Sequence, residues 1–317
     1  MSTILQLITD RLPLSSVLVR ASTRLLQFKP TRGVGEGRVG RRSEFEELES
    51  VKLPKKLPFM KVSLRLTPLI LLSLWCAASL FAQAAPDPSL HLYLLVGQSN
   101  MAGRGSVDEE SKRSDERVVV LTKEFEWLPA TDPLHFDKPV AGVGPGLAFG
   151  KAMAAKTTGV RIGLIPCAVG GTSIRLWVPD AFDPVTRTHP YSDMLERVKV
   201  AQKAGVLKGV LWHQGESDLN ASDSYGEQLR DLIERIRKDC ATGAPFVAGE
   251  VSSFVPNTQE PTRKLNAAIH GLEGQIPNYG WVSSEGLGHK GDKVHYDTAS
   301  ARALGERYAE KMTALQK

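Results

Sequence analysis

The sequence predicts an α/β fold, a central parallel sheet with helices on both faces. Two observations predict it. From Ser89 onward, short β-branched and apolar runs alternate with longer amphipathic ones, the order of repeated strand–helix units. The 317-residue chain is also 42% hydrophobic and 24% charged, which supplies ample core and excludes disorder as a description of the whole.

Strands are expected at residues 90–96, 118–121, 161–165, 208–212 and 246–251, with a weaker one at 280–283. Helices are expected near 147–157, 192–204, 222–239 and 262–272, and a last one over 298–315. The helix from Ser222 is the clearest. Tyr225, Leu229, Leu232, Ile233 and Ile236 recur at helical spacing while Glu, Arg and Lys fill the opposite face. No internal repeat or low-complexity linker interrupts residues 89–317, so one domain is the simplest organisation.

Charge is unevenly spread. Residues 1–84 hold 13 Lys and Arg against 6 Asp and Glu (net +7), while the rest holds 27 against 29 (net −2). A mildly acidic remainder without a basic stripe has no field to hold nucleic acid. The excess belongs to a targeting segment: Met60 is followed by Lys61 and Arg65, an apolar run over 66–81, and Ala82, Gln83 and Ala84, an AxA-type cleavage site before Ala85. Residues 1–59 then read as a mis-started extension, 60–84 as a signal peptide and 85–317 as the mature domain, secreted or periplasmic and without stable membrane association. The alternative is that Met1 is the true start and residues 66–85 form a signal anchor. Export implies an oxidising compartment, yet only Cys167 and Cys240 remain in the mature part. Two buried thiols are expected in preference to a bridge.

In such sheets ligands sit beyond the carboxyl ends of the strands. Four segments there carry the residues of ester hydrolysis. Ser99 follows Gly97 and Gln98 at the end of the first strand, where a sharp turn presents a hydroxyl. His295 is a base able to take its proton, and Asp292, three residues earlier, can fix the imidazole tautomer. The backbone amides of Ser99 and Gly171 and the side-chain amide of Gln214 are candidate oxyanion donors. His213 and Glu216 flank Gln214 as supporting groups, with Glu216 lacking a firm role. His289, Asp292 and His295 have the chemistry of metal ligands, but the triad accounts for two of them and no further ligands cluster nearby, so no metal or cofactor is expected.

These segments resemble the SGNH (GDSL-like) hydrolases and, within them, the sialate O-acetylesterase and acetylxylan esterase group known as carbohydrate esterase family 6. The matches are GQSNMAGRG at 97–105, IPCAVGGTSI at 165–174, LWHQGESD at 211–218 and DKVHYD at 292–297. The resemblance covers about residues 90–312. It implies a three-layer α/β/α sandwich of flavodoxin type, Ser99 as nucleophile, Asp292 and His295 as its triad partners, and an oxyanion hole of Ser99, Gly171 and Gln214. Gln98 and Gln214 stand where the wider superfamily has Asp and Asn, which points to the carbohydrate-esterase branch. The expected activity is removal of O-acetyl groups from a glycan such as acetylated xylan or sialic acid, through an acyl-serine intermediate. A general lipase or esterase and a non-catalytic carbohydrate-binding protein are the alternatives. Arg175 and Trp177 are candidate sugar contacts, and Trp177 is equally a candidate core residue.

Protein secreted by the native host is expected to begin at Ala85 or within a few residues of it, as intact-mass analysis would show. A membrane-tethered form retaining residues 1–59 would overturn this.

Overall fold

The computed structural model describes residues 85–254 and 257–317. The expected extension (1–59) and signal peptide (60–84) lie outside the described residues. The chain runs through β1 (Leu90–Gly97), the short helix α1 (Ser99–Ala102), β2 (Val118–Leu121), β3 (Trp127–Pro129), α2 (Pro145–Lys156), β4 (Arg161–Pro166), α3 (Pro190–Ala201), β5 (Val206–His213), α4 (Tyr225–Asp239), β6 (Phe246–Gly249), α5 (Gln259–Gly271), β7 (Tyr279–Val282) and α6 (Thr298–Leu315). The strands form one seven-stranded sheet in the order β3-β2-β4-β1-β5-β6-β7. All neighbours are parallel except β2 and β3.

Alternation along β1 explains the layers. Leu92, Leu94 and Val96 face a core built with Tyr191, Met194 and Val198 of α3, Leu229, Leu232, Ile233 and Ile236 of α4, and Leu265 and Ile269 of α5. Tyr93 and Leu95 face the other core, closed by Leu147, Phe149 and Met153 of α2 and Leu304, Tyr308 and Met312 of α6. A strand buried on both sides reads as an unbroken apolar run. The expected three-layer α/β/α sandwich is therefore present, and Cys167 and Cys240 are free and buried.

The differences from expectation have local causes. The three-residue β3 pairs antiparallel with β2 at the sheet edge and is half exposed, so it carries no apolar pattern. β6 stops at Gly249, two residues early, because the Asn266 side chain replaces the ladder at Val251: it accepts from the Val251 N–H (2.9 Å) and donates to the Val251 carbonyl (2.8 Å). The helix expected from Ser222 begins at Tyr225, after a 3-10 segment over Glu216–Ser224. α3 starts at Pro190, whose fixed φ suits the first helical turn.

Trp177 is fully buried, edge-on to Trp212 with ring centroids 5.3 Å apart, and its Nε1 donates to Thr172 Oγ1 at 3.2 Å. Of the two readings open for Trp177, this burial makes it a core residue. Trp177→Ala should cost about 3–5 kcal/mol of stability, measured by urea denaturation.

Candidate active site

Ser99 is placed by the close approach of β1 to β5. Gly97 has φ of +132°, and a Cβ on it would lie 2.0 Å from the His213 carbonyl oxygen, so only glycine lets the chain turn there. Ser99 then opens α1, and its N–H makes no hydrogen bond to any described residue, as expected of a first-turn amide.

His295 Nε2 lies 3.0 Å from Ser99 Oγ and His295 Nδ1 lies 2.7 Å from Asp292 Oδ2. The other oxygen of Asp292 accepts from the N–H groups of Val294 (2.9 Å) and His295 (2.8 Å). Partial burial alone would push the Asp292 pKa up, but the His295 and Val294 amides and the imidazole outweigh it and hold the carboxyl well below the usual range. The three side chains thus form one continuous line, with the acid ionised and the imidazole oriented.

Gly171 stands beyond β4, exposed, with φ of +90°. Its N–H, like that of Ser99, has no acceptor among the described residues. Asp137 aims this turn. Its Oδ2 accepts from the Gly170 N–H at 2.9 Å and from Arg104 Nη2 at 2.7 Å, and the ion pair is almost wholly buried. The Lys138 ammonium approaches the same turn, 3.9 Å from where a Cβ on Gly171 would sit.

Gln214 is elsewhere engaged, and its expected part as an oxyanion donor is corrected. It is fully buried, and its two amide hydrogens meet three acceptors: Gln98 Oε1 (3.0 Å), the Thr172 carbonyl (3.0 Å) and Asp218 Oδ2 (2.6 Å). Its own Oε1 accepts from the Tyr225 hydroxyl at 3.0 Å. His213 is also fully buried: Nδ1 donates to Tyr308 Oη at 3.1 Å, and burial pushes its pKa down. Nor does Glu216 orient either neighbour directly. Its Oε1 is 3.9 Å from His213 Nε2, beyond hydrogen-bond reach, and accepts instead from Asn100 Nδ2. Arg175 is exposed and borders a separate cavity of about 180 Å³ with Trp177, Gln228 and Arg235.

Sequence reasoning missed Asn100, Asp137 and Asp218. Asn100 and Asp218 lie inside the matched segments, so their place beside Ser99 and Gln214 was a usable signal. Asp137 lies in an irregular loop with no pattern to mark it.

Fold and site together define an α/β ester hydrolase. The family model for carbohydrate esterase, sialic acid-specific acetylesterase, matches residues 89–314, and the chain belongs to that family. It is 33% identical over 250 residues, 71% of this chain and 91% of the relative, to a probable carbohydrate esterase of Arabidopsis thaliana. An Arabidopsis thaliana X-ray structure superposes with a TM-score of 0.63 at 32% identity, covering 72% of this chain and 99% of that one. A carbohydrate acetylesterase from Xanthomonas citri shares the fold, with a TM-score of 0.52 at 20% identity over 71% of this chain and 56% of that one.

Because Asp292 is held ionised far below neutral pH, its own protonation should not limit kcat/KM between about pH 5 and 8, and the Asp292→Asn variant should lose rate across that whole range. A loss confined to the acid end of that range would overturn this. Gln214→Ala should lower stability by at least about 1–3 kcal/mol, since it strips partners from buried acceptors, as denaturant titration would report.

Proposed function

We propose that the protein is a serine esterase that removes O-acetyl groups from carbohydrate through an acyl-Ser99 intermediate, with residues 85–317 as its exported catalytic domain. The observation that carries the reading is the unbroken line from Asp292 through His295 to Ser99, beside two backbone amides with no acceptor among the described residues.

In the first half-reaction Ser99 Oγ attacks the acetyl carbonyl as His295 Nε2 takes its proton. Negative charge develops on the carbonyl oxygen, where the Ser99 and Gly171 N–H groups can donate to it. His295 returns the proton to the departing sugar oxygen. Water, activated by the same imidazole, then releases acetate. Asp292 remains a carboxylate throughout, holding the imidazole in the required tautomer and stabilising its cation. The substrate belongs to the acetylated glycans, with acetylated xylan and sialic acid as the first to test.

Acetate release from a panel of acetylated sugars tests the reading and ranks the glycans. Ser99→Ala should nearly abolish turnover, and Asp292→Asn should cost on the order of 10⁴ in rate, the scale seen when other triads lose the tautomer-fixing acid. Near-normal turnover by Ser99→Ala would overturn the assignment, and preference for long acyl chains would favour a general lipase or esterase.

A further inference from the structure

We infer that Asn100 is the positioning residue that keeps His295 at Ser99, and that Glu216 acts by holding the Asn100 amide in the orientation this requires. The inference rests on the reading of Ser99 and His295 given above and adds to it the device that joins them.

His295 is carried by a loop, and 23% of its side chain is exposed. The three hydrogen bonds of Asp292 to Val294 N–H, His295 N–H and His295 Nδ1 all lie within that loop. They fix the imidazole relative to Asp292 and leave its position relative to Ser99 open. Asn100 supplies the missing constraint. Its Nδ2 donates to the Val294 carbonyl at 3.1 Å and its Oδ1 accepts from the Tyr296 N–H at 3.2 Å. Residues 294 and 296 are the two neighbours of His295, so the residue between them cannot shift without breaking one bond. Asn100 also follows Ser99 directly on the first turn of α1, so nucleophile and clasp move as one unit.

The clasp works in only one orientation of the amide. Turned over, it would set an oxygen against the Val294 carbonyl and an NH₂ group against the Tyr296 N–H, losing both bonds. Glu216 decides the orientation, because its Oε1 accepts from Asn100 Nδ2 and a carboxylate can only accept. The Glu216 side chain is 7% exposed, and its Oε2 has no hydrogen-bond partner among the described residues. Burying a carboxylate in this way is costly. Among the described residues its side-chain hydrogen bond is to the amide that brackets His295.

The test is steady-state kinetics of the full chain on p-nitrophenyl acetate, with labelling of Ser99 by an organophosphonate. Asn100→Ala should lower kcat by about 10²-fold, the scale of a 1 Å misplacement, and leave KM within about threefold. Labelling should slow by a similar factor. Glu216→Ala should reproduce the loss. Glu216→Gln should restore most of it, since an amide oxygen can still accept from Asn100 Nδ2, and if Asn100→Ala does not fold this pair alone decides. An Asn100→Ala enzyme with near-normal kcat, or equal impairment of Glu216→Gln and Glu216→Ala, would overturn the inference while leaving Ser99 as nucleophile. Turnover by Ser99→Ala would remove the underlying reading and this one with it.

Discussion

The site depends on one buried amide. Gln214 ends up inside the protein just beyond β5, where its donors and acceptor have no access to water and must be satisfied by the chain. They are satisfied by two other strand-end segments, Gln98 after β1 and Thr172 after β4, and within the chain that follows β5 by Asp218 and by Tyr225 at the start of α4. Asp218 extends the junction by accepting from the Ile174 N–H at 2.8 Å and from the Ser173 hydroxyl. The turn bearing Ser99 and the turn bearing Gly171 are therefore braced against the same group.

Around this junction the polar network divides into separate tasks. Arg104 and Asp137 support the Gly170–Gly171 turn from one side, the guanidinium neutralising a carboxylate that is almost wholly buried. On the other side Tyr308 of α6 donates to the Trp212 carbonyl at 2.7 Å and accepts from His213, tying the last helix to the end of β5. The loop over residues 288–297 leads directly into that helix, whose Asp297 cap accepts from the Ser300 N–H at 2.8 Å. Each support includes a buried or half-buried hydrogen bond to backbone, the kind of contact that sets position more than it adds net stability.

Sheet, helices and the grouping of Ser99, Asp292 and His295 were legible because each leaves a local trace. Buried parallel strands are unbroken apolar runs, helices repeat every three to four residues, and Ser99, Gly171 and His295 follow strand ends or precede a helix within short recognisable segments. What was not legible was burial and pairing. Gln214 sits in a segment of polar residues beside the site, and nothing in LWHQGESD says that its amide faces inward while Glu216 reaches Asn100, 116 residues away in sequence. Trp177 shows the same limit, since an aromatic near a sugar site and an aromatic under it look alike in sequence. β3 escaped for a different reason: three residues at an exposed edge are too few to show a period.

The order of the elements along the chain also governs when the site can exist. Ser99 and His295 are 196 residues apart, and the imidazole reaches the hydroxyl from a loop that runs directly into α6. A polypeptide emerging from the ribosome in sequence order would present its serine early, on a strand at the centre of an unfinished sheet, and would lack the imidazole until almost the whole chain had emerged. A chain ending before α6 would keep Ser99 on its strand end and lose the helix into which the His295 loop runs.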